Sequence, residues 1–203
     1  MEERKLHLFL IISIIIILIW SGINPFDSFT WFLEVLPALI GGTILVIIYS
    51  KFKFTTLVYI LIWIHGIILI VGGHYTYAEM PLFNWLKDTF NLERNYYDRL
   101  GHIAQGFIPA IVTREIFIRK NIVSKKGWLG FIIVSICLAA SASYELIEFA
   151  VAKFTGTAAE AFLGTQGDVW DTQWDMLFAL VGSILSLVIL SKYHDEQLER
   201  IKL

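Results

Sequence analysis

Six apolar stretches, each long enough to cross the hydrocarbon core of a bilayer, leave this chain little choice beyond a bundle of membrane-spanning helices. They cover residues 6–23, 31–50, 54–74, 100–118, 127–150 and 174–191. A helix rising 1.5 Å per residue needs about 20 such residues to span roughly 30 Å of hydrocarbon. A lone strand in lipid has no partner for its backbone amides, so segments of this kind fold as helices. The expected fold is all-α, a polytopic membrane protein with six transmembrane helices. In 203 residues the connecting segments are too short for an independent soluble domain, so 1–203 is read as a single integral membrane domain. The first stretch follows Arg4 and Lys5, as the core of a secretory signal would. Ile19-Trp-Ser-Gly-Ile23 offers no small-residue cleavage site, however, and the segment is read as a retained helix.

Lys and Arg stay on the cytoplasmic side of membrane proteins. Arg4 and Lys5, Lys51 and Lys53, the Arg119, Lys120, Lys125 and Lys126 group, and Lys192, Arg200 and Lys202 all agree on one orientation with cytoplasmic N- and C-termini. On that reading the outer side holds twelve carboxylates and only the basic residues Lys87, Arg94, Arg99 and Lys153, for a balance of -8 against +6 inside. The overall net charge of -2 hides this asymmetry, and nothing in the pattern points to nucleic acid. Localisation is expected to be multi-pass in a bacterial cytoplasmic membrane, with the lipid bilayer as principal partner. Two outer connections are long, 75–99 and 151–173, and the first carries the aromatic pattern of a short interfacial helix near 82–91. The single Cys137 lies in an apolar run and has no intrachain disulfide partner.

The outer acids fall at helical spacings. Asp98 and His102 are four apart, so they share a face if their helix starts by Asp98, and Gln105 extends the stripe. Glu145 and Glu148 are three apart, while Asp168, Asp171 and Asp175 keep spacings of three and four. His74 ends the third span at the same level, and Glu34 lies near the outer end of the second. Asp98 and Asp168 also suit helix caps. Glu145 and Glu148 do not, because the outer end of their span is its C-terminus, where the macrodipole disfavours an anion. Carboxylates this close resist joint ionisation at low dielectric. Three remedies exist: protonation, pairing with Arg94, Arg99 or His102, or a bound cation. Carboxylate oxygens with an imidazole suit one divalent ion such as Zn, Mn, Fe or Mg. The expected ligands are Asp98, His102, Glu145, Glu148, Asp171 and Asp175, with Asp168 and His74 completing the polar site. His65, deep in the third span, reads as a buried packing histidine, and His7 and His194 as cytoplasmic surface residues.

At Asp98-Arg-Leu-Gly-His102, Glu145-Leu-Ile-Glu148-Phe and Gln166-Gly-Asp-Val-Trp-Asp-Thr-Gln-Trp-Asp175-Met the chain resembles the YjdF-like family of bacterial inner-membrane proteins, over nearly its whole length. More distantly it is similar to the VanZ-like membrane proteins, through Asp98 and His102, Glu145, and Asp175 with Gly182; Ala179 stands where that family has Asn. The second resemblance implies an association with the cell envelope, and neither implies a particular reaction. Three functions are therefore open. The first is an enzyme acting on a lipid-linked or envelope small molecule through a metal or a carboxylate and histidine pair. The second is a small-solute or proton-linked binding or transport protein, with His65 as a deeper relay. The third is a non-catalytic protein whose polar cluster fixes helix packing. The chain has no P-loop, GxSxG element or internal repeat to favour a known catalytic machinery.

Overall fold

The structure, a computed structural model, describes residues 2–156 and 160–201. It is all-helical, in the order α1 (Glu2–Ser21), α2 (Ser28–Ile48), α3 (Thr56–His74), α4 (Pro81–Phe90), α5 (Tyr97–Arg119), α6 (Lys126–Thr155), α7 (Glu160–Leu163) and α8 (Asp171–Ile201), with no strand among the described residues. Five of these, α1, α2, α3, α6 and α8, are long and apolar enough to cross a membrane. The fourth expected span, α5, has the length at 23 residues but carries Asp98, Arg99, His102, Gln105, Arg114 and Glu115. Its position explains its polarity. It packs on α3, α6 and α8 and buries residues along its length from Tyr97 to Glu115, so it faces other helices rather than lipid. The lipid-facing chemistry falls to the outer helices, as in α1, where Leu8, Phe9, Ile12, Ile16 and Ile19 are exposed.

The pairing of α5 with α8 is the most extensive in the bundle and is made backbone to backbone. A Cβ added at Gly106 would lie 1.8 Å from the Ala179 carbonyl oxygen, and one at Gly182 would lie 2.2 Å from that of Ile103. Only glycine permits this approach, and small residues at such crossings are how helices associate without a hydrophobic drive between them. Two helices run beyond their expected ends. α6 continues to Thr155, so Glu145 and Glu148 sit more than a turn inside its C-terminus. α8 begins three residues before Trp174 and runs on to Ile201, 31 residues or about 46 Å, well past the thickness of the hydrocarbon core. The interfacial helix expected near 82–91 is α4, with Pro81 at its first position and Asn91 in the left-handed conformation closing it. Leu82, Trp85 and Phe90 point outward from it.

The extension of α8 corrects one reading. His194 is fully buried, because the last turns of α8 pack back onto α5 and the start of α3. Its Nδ1 lies 2.9 Å from Arg114 Nη1 and its Nε2 3.1 Å from Glu115 Oε2. A guanidinium only donates, so Nδ1 is the acceptor and Nε2–H donates to the carboxylate. Glu115 also accepts from the Thr55 backbone N–H at 2.9 Å, the Thr55 hydroxyl at 2.7 Å and Arg119 at 2.7 Å. His7 is likewise buried rather than on the surface. The first helix begins at Glu2, ahead of the apolar run, which brings His7 onto Tyr49 at 3.0 Å and against the Tyr59 ring.

Candidate cation site

At the opposite end of the bundle the two long connections are tied to each other. Asn95 donates its backbone N–H to Gln166 Oε1 at 2.9 Å, and Gln166 Nε2 returns a bond to the Asn95 carbonyl at 2.9 Å. Asn95 Oδ1 accepts from Tyr97 N at 3.0 Å and so starts α5 in time to put Asp98 in its first turn. Asp168 Oδ1 accepts from Trp170 N at 2.9 Å just before α8, whose first turn holds Asp171. With Gly106 and Gly182 pressing the helices together, the Asp98–His102 stripe of α5 faces the Asp171–Asp175 stripe of α8.

Arg94 and Arg99 fill the space between these stripes. Arg99 donates through Nη1 to Asp175 Oδ1, and through Nη2 to Asp171 Oδ1 at 2.6 Å and Asp168 Oδ2 at 3.2 Å. Arg94 Nη1 donates to Asp171 Oδ1, and its guanidinium also reaches the carbonyls of Gly164 at 3.1 Å and Thr165 at 3.3 Å. Both guanidiniums lie 3.6 Å from Asp98 Oδ2. Pairing with Arg99 thus reaches Asp168, Asp171 and Asp175. Asp171, expected among the cation ligands, has Oδ1 engaged by both arginines.

A different set surrounds His102. Its Nδ1 is 2.8 Å from Gln105 Oε1, while its Nε2 faces Asp98 Oδ1 at 3.4 Å, Asp175 Oδ1 at 3.5 Å and Glu145 Oε1 at 4.0 Å. With the Gln105 amide oxygen toward the ring, Nδ1 carries a hydrogen and the second nitrogen is the one aimed at three carboxylates. A lone pair among three carboxylates favours a proton on Nε2 or a cation beside it, in addition to the guanidiniums that reach Asp175 and Asp98. Asp98, His102 and Asp175 offer ligand atoms within 4.8 Å of one another. Two ligands at 2.0–2.1 Å from a tetrahedral ion lie roughly 3.4 Å apart. The two separations from Nε2 match that edge, so these residues could hold a metal ion, with Asp175 Oδ1 shared between it and Arg99. Glu145 Oε1, 4.0 Å from His102 Nε2, is buried with no hydrogen-bond partner among the described residues.

The cluster forms one wall of a cavity of about 120 Å³. The other walls include Glu34, His65, Tyr77, Gln105, Tyr144 and Glu148, and Phe162 to Gly164 border the same space. Glu148 therefore faces the cavity beside the ion cluster rather than within it. His65 and Glu34 belong here too, although spacing alone left the first as packing and the second undecided. Tyr144 was not singled out; it lies four residues before Glu148, which places both on one face of α6, and its hydroxyl donates to Glu34 Oε2 at 3.4 Å. His74 is not part of the site. Its Nδ1 lies 2.8 Å from the Ser21 carbonyl oxygen and its ring packs on Trp20 at 4.5 Å, closing the end of α1 onto α3.

A bundle of long apolar helices around a polar inner helix, with a buried acidic and histidine cavity at one end, defines a multi-pass α-helical membrane protein with an embedded polar site. The chain belongs to the family described as "Predicted membrane protein (DUF2238)", which matches residues 6–196. It is 43% identical over 189 residues to "Inner membrane protein YjdF" of Escherichia coli (strain K12), covering 93% of this chain and 90% of that protein. The YjdF-like resemblance is therefore the family itself. No solved structure matches the chain.

Proposed function

We propose that this protein resides in the cell membrane, holds one divalent cation between Asp98, His102 and Asp175 with Glu145 in reach, and uses that site on a lipid-linked or small-molecule substrate of the cell envelope. The observation that carries the reading is His102, with Nδ1 tied to Gln105 and Nε2 turned toward three carboxylate oxygens. Gln105 acts as the outer partner that fixes the orientation of a metal-ligating imidazole. A mixed nitrogen and oxygen donor set favours Zn, Mn or Fe over Mg, which prefers oxygen and water. Such an ion would supply Lewis-acid activation of a carbonyl, phosphoryl group or water. Glu148, 9% exposed and bordering the cavity, is positioned to accept a proton from whatever binds there.

Counting α5 as a sixth span and reading the termini as cytoplasmic, the orientation that the basic clusters favour, the site would lie at the outer leaflet. The basic groups of Lys53, Arg114 and Arg119 gather at the end remote from the cavity, which supports that orientation. The inner-membrane location named for the Escherichia coli relative supports a bacterial cytoplasmic membrane. A second reading, in which the polar cluster only fixes helix packing, draws on the arginine bonds to Asp168, Asp171 and Asp175. Elemental analysis of detergent-purified protein separates the two. One tightly held divalent ion per chain is expected in the parent, with its loss in H102Q and D175N, while no ion in the parent would leave the packing reading standing.

A further inference from the structure

Glu34 and Glu148 face the cavity from the side away from the arginines. Both are buried, at 7% and 9% exposure, and neither lies within ion-pair distance of a basic group among the described residues. The Glu34 carboxylate is met by the Tyr144 hydroxyl at 3.4 Å and by that of Tyr77, and Glu148 makes no hydrogen bond with a described residue. His65 borders the same space, with its Nε2 buried and unpartnered. Buried polar groups normally have partners, so the orphaned His65 nitrogen and the unbonded Glu148 carboxyl on one cavity point to a ligand. A second metal ion does not meet this arrangement. Among the described residues only Asp98, His102 and Asp175 have the close spacing that a single ion needs, and Glu34, Glu148 and His65 form no such set. Two buried carboxyls either stay protonated or share a positive charge, and a charge shared by residues set this far apart belongs to a body larger than a metal ion. The space of about 120 Å³ exceeds the roughly 30 Å³ that one water occupies in the liquid, and Tyr77 and Tyr144 bring aromatic rings to it. Aromatic rings beside carboxylates are the surroundings that organic ammonium groups favour.

We propose that the Glu34 and Glu148 wall, with Tyr77, Tyr144 and His65, binds an organic ammonium group, so that the substrate is an amine-bearing molecule whose other end reaches the Asp98–His102–Asp175 cluster. The substrate assignment rests on the cation reading of that cluster, whereas the ammonium site has its own support in Glu148 and the orphaned His65 nitrogen on the cavity wall. The ammonium can belong to a free amine or to a lipid headgroup. Two probes distinguish these sources: methylammonium titrated into protein held in phosphatidylglycerol nanodiscs, and retention of phosphatidylethanolamine by protein purified from mixed nanodiscs. Potassium at equal ionic strength is the control, and metal content is measured on every sample. Saturable binding of about one equivalent of either probe is expected in the parent, weakened at least tenfold in E34Q and in E148Q, with metal content unchanged. Saturation by methylammonium assigns a free amine; retention of phosphatidylethanolamine alone assigns a headgroup. Probe binding no stronger than that of potassium, or equal in parent and variants, overturns the proposal. So does loss of the metal in E34Q and E148Q, since those residues would then belong to the ion site. An H102Q variant that still binds the probe, beside a parent without metal, would defeat the cation reading and leave the ammonium site standing.

Discussion

Arg99 reaches Asp168, Asp171 and Asp175 with a single guanidinium, so neutralising it leaves three carboxylates to repel one another at low dielectric. Removing one partner of a buried ion pair typically costs about 3–5 kcal/mol. R99M is therefore expected to lower thermal stability in detergent sharply, and R99K to recover only part of it, because an ammonium cannot reproduce the planar fork. An R99M protein as stable as the parent would show that these pairs are not what holds α8 against α5. At this scale the spacing of Asp98, His102 and Asp175 was sufficient to find the cluster, since residues three and four apart share a helix face. Spacing could not show which acids the arginines would take, because that depends on how α8 is set against α5. Arginine consequently engages both Asp171 and Asp175, each expected among the ligands, and Glu34 and His65 entered the cavity from helices whose rotation periodicity leaves open.

α5 and α8 set the distance across the site. Since a Cβ at position 182 would fall 2.2 Å from a backbone oxygen of α5, G182A must push the two helices apart. It is expected both to destabilise the bundle and to weaken metal retention, even though Gly182 is two turns from Asp175. Substitution at Gly41 or Gly42, whose added Cβ would meet nothing within 4 Å, supplies the control. G182A retaining the metal and the parent's melting temperature would show that the close crossing does not position the site. Element ends were the least legible part of the fold. The apolar run of the last span stops near Ser191, but the helix continues because its amphipathic extension finds a buried face on Arg114 and Glu115. His194 was misread for that reason alone. α4 was legible because an amphipathic aromatic helix flanked by Pro81 and Asn91 needs no tertiary contact to be recognised.

For the whole molecule, apolar length established the class without any motif, while the depth of the polar site within it depended on packing. The charge asymmetry predicts that single cysteines at positions 51 and 125 react with membrane-impermeant maleimide only in inverted vesicles, and one at position 88 only in intact cells. Labelling of all three from the same side would overturn the orientation. The central claim concerns the atoms around one ion, and the most direct test is X-ray absorption at the metal edge of protein loaded with zinc or manganese, compared with H102Q. A first shell of one imidazole nitrogen with two or three oxygens is expected, with loss of the imidazole scattering in the variant. A shell of oxygens alone, identical in both proteins, would contradict it.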